Sequence, residues 1–241
     1  MQQLSLFNNL SCEHIVNVAS VPQRSPFRYP GGKTWLVPYV RRWLSPQIRQ
    51  EKGLLPVRSV RFIEPFAGGG IVSLTVAAEK YADQVIMVEI DEDVTAVWQA
   101  ILDEGQSSWI AQALLSFELT GENVEAFLAK TNLTPEEQAF RTILRNRINR
   151  GGILAPGAGR IKNGEGGKGM KSRWYPATLE KRIREIVRIK DAISFIQGDG
   201  MTIMQEYVEH PDAIFFIDPP YIAPGKKGEI FAGWKTERYG V

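Results

Sequence analysis

Four short apolar runs, each with an acidic residue at or near its carboxyl end, constrain the fold most. They span residues 60–63, 85–89, 193–196 and 213–217, and the acids are Glu64, Glu89, Asp199 and Asp218. Short, continuous apolar runs are typical of strands that are covered on both faces of a parallel sheet. Because parallel strands end at the same edge, and ligands of open α/β sheets bind at that edge, the four acids are predicted to meet at a binding site.

Helix-like stretches separate these strands. Residues 71–82 and 92–105 follow the first and second runs, and this alternation predicts βαβ units, hence an α/β fold with a parallel sheet. About a hundred residues then interrupt the pattern with further helical segments and a glycine-rich stretch. We therefore expect a sheet domain formed by residues 1–101 and 191–241, with residues 102–190 inserted into it.

Composition excludes several classes of protein. The chain has 241 residues, one cysteine (Cys12) and two histidines, so neither a disulfide framework nor a zinc cluster is expected, and we predict no metal. No apolar run approaches the roughly 20 residues that a membrane helix needs. The first residues, MQQLSLFNNLSCEH, also lack a signal-peptide pattern. A cytoplasmic protein without a membrane partner is predicted, and its oligomeric state stays open.

Positive charge is concentrated in the insertion. Net charge is only +2, yet residues 141–190 contain fourteen Lys and Arg against three Glu. The glycine-rich residues 151–175 are too long and polar for a simple connection, which indicates a functional loop suited to a phosphate backbone. For the basic helix over residues 179–190, a merely solvated face is an equally good interpretation.

A glycine-rich turn follows the first strand in FIEPFAGGGIVSL, residues 62–74. Gly68, Gly69 and Gly70 would let the backbone approach a ligand at the start of a helix, although many strand–helix connections need glycine for the turn alone. The acid Glu64 before the glycines would repel a pyrophosphate and attract a cation. The turn is therefore predicted to bind a cationic ligand rather than a dinucleotide.

Two further acids suit a nucleoside. Glu89 ends the second strand, where a carboxylate accepts hydrogen bonds from ribose hydroxyls, whereas Asp91 is better placed to cap the next helix. Asp199 could accept a hydrogen bond from an adenine amino group, and an ordinary turn is the alternative. After the fourth strand, Pro219 and Pro220 stop the ladder and leave Asp218 at the sheet edge.

Six motifs occur in a fixed order: FRYPGGK, FIEPFAGGG, VEID, NRINRGG, GDG and DPPY. Their order and spacing resemble those of the Dam-like DNA adenine-N6 methyltransferases over about residues 26–227. The resemblance implies a Rossmann-like methyltransferase sheet, S-adenosylmethionine as cofactor, and double-stranded DNA with a flipped adenine as partner. It implies cofactor contacts at Tyr29, Lys33, Glu64, Phe66, Gly68, Gly70, Glu89, Asp199 and Asp218. It also implies a catalytic motif made of Asp218, Pro219, Pro220 and Tyr221.

The resemblance gives the DPPY motif a chemical role. The adenine amino nitrogen is a poor nucleophile because its lone pair is delocalised into the ring. If Asp218 and the Pro219 carbonyl accept its two hydrogens, the lone pair can face the methyl group, and the prolines preorganise that carbonyl. Tyr221 offers a face on which the flipped base can stack. The alternative for this motif is a strand-ending turn with a surface tyrosine.

The insertion resembles the target-recognition region of that family. Contacts with DNA are predicted for Asn146, Arg147, Arg150, Lys168 and Lys171. Arginine suits guanine edges, asparagine suits adenine edges, and arginine and lysine both suit phosphates. The base that each reads is left open. A basic helix end followed by a glycine stop is compatible with the same residues.

Beyond Lys227 the resemblance fails, because only GEIFAGWKTERYGV follows the catalytic motif. We therefore expect an incomplete sheet in which residues 213–217 form an unprotected edge, which puts activity in question. Two alternatives to DNA adenine methylation stay open: an inactive DNA-binding remnant, and a methyltransferase that acts on RNA or protein.

Overall fold

A four-stranded parallel sheet is the centre of the protein. The computed structural model describes residues 20–28, 32–45 and 60–220. The strands are β1 (Arg61–Glu64), β2 (Gln84–Glu89), β3 (Ile193–Gln197) and β4 (Ala213–Phe215), in the order β3-β2-β1-β4. In register, Phe62 of β1 lies beside Val85 of β2 and Ile214 of β4. The predicted α/β fold with a Rossmann-like sheet is confirmed.

Eight α-helices accompany the sheet in the described residues. They are α1 (Val37–Leu44), α2 (Ile71–Ala78), α3 (Glu92–Leu102), α4 (Glu104–Ser116), α5 (Gly121–Leu128), α6 (Pro135–Ile148), α7 (Pro176–Val187) and α8 (Gly200–Tyr207). Short 3₁₀ turns cover Thr34–Leu36, Arg150–Gly152, Glu165–Gly167, Gly169–Arg173 and Lys190–Ala192.

Local sequence signals explain where several helices begin and end. The predicted helix over residues 71–82 stops at Ala78, because Lys80 takes a left-handed φ of 57° that no helix can continue. The predicted helix over residues 92–105 breaks at Asp103, whose carboxylate accepts a hydrogen bond from Gln106 N and starts α4. Thr134 and Glu137 form a capping box at the start of α6.

The two faces of the sheet are covered differently. Phe62, Val85 and Met87 point into the main hydrophobic core, which α2, α3 and the insertion helices share. On the other face, Ile63, Ile86 and Val88 form a smaller cluster with Ile203 of α8. The main core also includes Phe140 of α6 and Ile183 of α7, so the insertion shares one continuous core with the sheet.

The strand order creates a crevice at one edge. The chain moves outward from β1 to β2 and β3, and β4 then returns to the other side of β1. Such a reversal of strand order leaves a gap outside the carboxyl ends of the two strands that flank it, and ligands bind there in open α/β sheets. Glu64 ends β1 and Asp218 follows β4, so both acids lie at this reversal. Within the described residues β4 pairs with β1 alone, and whether it is the edge of the sheet stays a prediction.

Candidate active site at the carboxyl edge of the sheet

Glu64 is a buried acid at the start of a helix. Only 4% of the residue is exposed, and Oε2 accepts a hydrogen bond of 3.0 Å from Ser73 N in the first turn of α2. Burial, reinforced by the negative charges of Asp218 and Glu89, raises the pKa of Glu64 to about 8, and hydrogen bonding from Ser73 offsets this only in part. At neutral pH the ligand-free site therefore favours the protonated carboxyl.

The glycine-rich loop over residues 65–70 is held by contacts from β2 and α3. Gly68 N donates to Glu89 Oε2, and Trp98 Nε1 donates to Gly68 O, each at 2.9 Å. Gly70 has a φ of +61°, and a Cβ there would lie 2.6 Å from Met87 Cε and 2.9 Å from Trp98. Glycine is therefore required at position 70 by packing in the core, and the contact with Trp98 was not predicted from the sequence.

Glu89 accepts three hydrogen bonds from backbone amides. Its Oε1 accepts hydrogen bonds from Ile90 N at 2.8 Å and Asp91 N at 2.9 Å, in addition to the bond from Gly68 to Oε2. Burial raises the pKa of Glu89, although these amides lower it in turn. Asp91 caps α3 by accepting from Val94 N, which confirms its predicted capping role. Ribose binding by Glu89 stays a prediction.

The turn around Asp199 packs against the same loop. Asp199 caps α8 by accepting a hydrogen bond of 2.9 Å from Met201 N, as the turn alternative requires. A Cβ at Gly200 would lie 2.2 Å from Pro65 O and 3.0 Å from a ring carbon of Phe66, so only glycine fits there. Asp199 and Phe66 are thereby brought to the edge where Glu64 and Glu89 lie. Contact between Asp199 and a cofactor adenine stays a prediction.

Asp218 lies beside Lys33 in the crevice. Lys33 Nζ is 2.8 Å from Asp218 Oδ2, and the two side chains are 13% and 23% exposed. Backbone pairing continues past β4, because Phe216 N donates to Ile63 O and so fixes the chain just before Asp218. Pro219 and Pro220 are exposed. Tyr29 and Tyr221, the two predicted site tyrosines, lie outside the described residues.

Two of the predicted DNA contacts require correction. Asn146 and Arg147 are only 1% and 4% exposed. The side chain of Asn146 bonds the backbone of Arg28 and Gly152, and Arg147 donates to Pro26 O. Neither side chain can reach DNA in this structure, because both point into the protein. For Arg147 the sequence carried a signal of burial, because it shares one helical face with the apolar residues 140, 143 and 144.

The other three predicted DNA contacts lie on the surface. Arg150, Lys168 and Lys171 are exposed, as is Lys162, and none of the four forms an ion pair with another described residue. We call these four residues the basic loop surface. Three other cations of the insertion form ion pairs within the protein: Arg145 with Asp93, Arg160 with Glu125 and Arg173 with Glu165. The excess charge of the sequence therefore overstates the positive charge available to a partner.

The glycine-rich residues form an ordered loop against the end of α6. Arg150 N donates to Gly159 O and Ile161 N donates to Ile148 O, with an antiparallel bridge between Asn149 and Arg160. Several glycines take positive φ: Gly151, Gly152, Gly157, Gly164, Gly166, Gly167 and Gly169. This folding holds the start of the loop beside the backbone of Arg150.

The described residues 20–28, 32–45 and 60–220 contain neither a candidate membrane span nor a candidate metal cluster. In these ranges no helix has both the length and the apolar character that crossing a membrane would require. The same ranges contain no cluster of three His, Cys, Asp or Glu side chains that could hold a metal ion.

Comparison with known protein families identifies the chain. Residues 29–238 match the D12 class N6 adenine-specific DNA methyltransferase family, a range that includes the sheet, the crevice and the whole insertion. The match continues past Lys227, so the expectation that the resemblance fails there is wrong. A search of curated proteins returned no significant match. Because the family match extends over most of the sequence, the chain belongs to the D12 class of N6 adenine-specific DNA methyltransferases.

Proposed function

We propose that this protein transfers a methyl group from S-adenosylmethionine to the N6 nitrogen of adenine at a specific sequence in double-stranded DNA. Family membership supports adenine N6 in DNA as the acceptor. The observation that carries the proposal is the position of Asp218. It follows β4 at the reversal of strand order, contacts Lys33 at 2.8 Å and precedes two prolines.

The carboxyl edge suits a cationic cofactor. Glu64 and Glu89 are buried carboxyl groups with raised pKa, and neither forms an ion pair with another described residue. A ligand with a positive sulfonium would provide the missing charge and favour both carboxylates. The residues proposed to hold it are Tyr29, Lys33, Glu64, Phe66, Gly68, Gly70, Glu89, Asp199 and Asp218. When bound, the cofactor would supply a methyl group on a positively charged sulfur.

Glu89 and Asp199 have separate proposed roles in holding the cofactor. Glu89 would accept hydrogen bonds from the ribose hydroxyls, and Asp199 would accept one from the adenine amino group. Each carboxylate already bonds backbone amides. A carboxylate has about four acceptor sites, so these existing bonds are compatible with one further donor. The amides fix each carboxylate before the ligand arrives, which reduces the entropy lost on binding.

The target amino group is proposed to bind at Asp218. Asp218 and the Pro219 carbonyl would each accept one of its hydrogens, drawing N6 toward tetrahedral geometry and exposing its lone pair. The ion pair with Lys33 holds the carboxylate in one orientation. After methylation N6 carries one proton too many, and Asp218 is placed to accept it. Tyr221 is proposed to stack on the flipped base.

The basic loop surface is proposed to contact DNA phosphates. Its members, Arg150, Lys162, Lys168 and Lys171, are exposed and lie on a loop that the fold holds beside α6. Cations on an ordered loop fix the position of the duplex without reading its sequence.

A direct assay tests the proposed function. The purified protein is incubated with tritiated S-adenosylmethionine and unmethylated genomic DNA, and the nucleosides of the product are separated. Label in N6-methyldeoxyadenosine, confined to one sequence context on sequencing, is the expected result. Parallel reactions with RNA and with protein acceptors should stay unlabelled. Label in cytosine, in RNA or in protein, or none at all with any acceptor, would contradict the proposal.

A further inference from the structure

We propose that Asn146, Arg147 and Arg182 form a clasp that positions the N-terminal segment of the cofactor site, so that these insertion residues act on cofactor binding rather than on DNA contact. The clasp is defined as these three side chains together with the backbone of residues 25–28 that they bind. Its assignment to cofactor binding rests on the proposed function of residues 29–33.

Asn146 provides the closest part of the clasp. Its Oδ1 accepts a hydrogen bond of 2.8 Å from Arg28 N, and its Nδ2 donates to Arg28 O at 2.9 Å and to Gly152 O at 2.7 Å. One buried amide thus satisfies both backbone groups of Arg28, as a neighbouring strand would. An asparagine side chain is suited to this because it carries an acceptor and two donors.

Two arginines continue the clasp along the segment. Arg147 of α6 donates to Pro26 O, and Arg182 of α7 donates to Ser25 O at 2.9 Å. Burial, together with the positive charges of Arg182 and Arg28, lowers the pKa of Arg147 to about 9, and burial has the largest effect. Arg147 is buried, so its guanidinium is not available to a DNA phosphate. It donates instead to the nearby carbonyl oxygen of Pro26.

Packing shows that the segment and the insertion approach without a gap. A Cβ at Gly152 would lie 2.2 Å from Arg28 O, so no side chain fits there. Phe27 is buried and its ring lies 5.7 Å from that of Trp98, the residue that bonds Gly68 in the glycine-rich loop. The segment therefore contacts the insertion on one side and the core beneath the cofactor loop on the other.

The anchored segment leads directly to Lys33. Four residues separate Arg28 from Lys33, so a fixed Arg28 backbone limits where Lys33 can lie to within the reach of a short chain. On the far side, α1 is fixed by Arg41, which bonds both carboxylate oxygens of Glu79 at 2.6 and 2.7 Å. The segment that contains Lys33 is thus held at both ends, which places Lys33 beside Asp218. The clasp residues are positioning residues, since none of them touches the reacting groups.

The test compares two alanine variants at the end of α6. Asn146→Ala removes the clasp, while Asn149→Ala removes a similarly buried amide whose Nδ2 donates only to Ile153 O at 2.8 Å. We expect Asn146→Ala to speed hydrogen exchange at Arg28 N. We also expect its dissociation constant for S-adenosylmethionine, measured by calorimetry, to rise about tenfold, which corresponds to the loss of one to two net hydrogen bonds. Asn149→Ala should leave both unchanged. DNA affinity without cofactor should stay the same in both variants.

A milder pair keeps the test valid if Asn146→Ala does not fold. Arg182→Ala removes the bond to Ser25 O from a partly exposed position, and Arg184→Ala on the same helix removes only an exposed pair with Glu180. Arg182→Ala should raise the KM for S-adenosylmethionine about threefold and retain kcat at saturating cofactor, as one net hydrogen bond predicts. Arg184→Ala should match the wild-type protein.

The possible outcomes separate the clasp from the proposed function. Weakened DNA binding with unchanged cofactor affinity and unchanged exchange at Arg28 N would overturn the clasp and restore DNA contact. If the wild-type protein binds no S-adenosylmethionine, the proposed cofactor fails, and hydrogen exchange decides on the clasp alone. Faster exchange at Arg28 N in Asn146→Ala or Arg182→Ala would then support the clasp, and unchanged exchange in the folded variants would overturn it.

Discussion

Lys33 Nζ and Asp218 Oδ2 lie 2.8 Å apart, so a residue from the N-terminal segment contacts the residue that is proposed to bind the target adenine. The pair brings together the FRYPGGK and DPPY motifs, which are the first and last of the six in the sequence. Both side chains are mostly buried, which strengthens the interaction relative to an exposed ion pair. This ion pair therefore joins the N-terminal segment to the chain that follows β4.

Replacement of Lys33 tests this contact. In Lys33→Met, Asp218 loses the partner that orients it, and we expect single-turnover methyl transfer to slow by roughly 10- to 100-fold, as for a lost charge-assisted hydrogen bond. Lys181→Met, a replacement at an exposed position of α7, serves as control. Unchanged single-turnover rates in Lys33→Met would show that Asp218 does not depend on the ion pair.

Stability should depend on pH through Glu64. Its pKa rises from 4.5 to about 8 on folding, so the folded protein retains a proton that the unfolded chain releases between these values. The free energy of unfolding should therefore fall as pH rises from about 5 to about 8, by at least about 1.4 kcal/mol, which corresponds to one unit of pKa. Urea unfolding of the ligand-free protein at several pH values measures this.

Glu64→Gln is the matched control for the effect of pH, because it keeps the shape and cannot ionise. Its unfolding free energy should fall less between pH 5 and pH 8 than that of the wild-type protein. Equal slopes in the two proteins would assign the pH dependence to other groups.

Salt dependence tests the basic loop surface. If Lys168 and Lys171 each neutralise one phosphate, replacing both with alanine should make the log–log slope of DNA affinity against salt shallower by about two. Binding should weaken alike for all sequences, because phosphate contacts carry no base information. Fluorescence anisotropy at several salt concentrations measures both quantities.

The basic face of α7 provides the control for the salt experiment. Lys181 and Arg184 are exposed there and pair with Glu185 and Glu180. Their double replacement with alanine should leave the salt slope unchanged, as for a solvated helix face. If replacing Lys181 and Arg184 changed the salt slope while replacing Lys168 and Lys171 did not, the DNA interface would lie at α7 and not at the basic loop surface.

The sheet and its acidic edge could be predicted from the sequence because they depend on local patterns. Apolar runs define the four strands, and parallel strands bring their carboxyl ends together whatever lies between them. Glu64 and Asp218 therefore reach one crevice, although about 150 residues separate them. The glycines of the first turn were also recognisable, since a turn and a close approach both require them.

The roles of Asn146 and Arg147 could not be predicted in the same way. Polar residues at the basic end of a helix are usually exposed, and the partners here, Pro26 and Arg28, lie far away in the sequence. The apolar helical face that includes Arg147 indicates that this residue is buried, but it does not indicate the backbone groups that either side chain binds. Similarly, the bond from Trp98 to Gly68 became visible only when α3 and the first turn were placed together.

Methyl transfer by Asp218→Ala tests the central claim most directly. The variant and the wild-type protein are compared in the tritiated S-adenosylmethionine assay on unmethylated DNA, with cofactor affinity measured in parallel by calorimetry. We predict that Asp218→Ala forms no detectable N6-methyldeoxyadenosine and largely retains its cofactor affinity, because eight other residues are proposed to hold the cofactor, whereas Asp218 is the side chain proposed to act on the adenine amino group. Wild-type turnover in Asp218→Ala would contradict the mechanism.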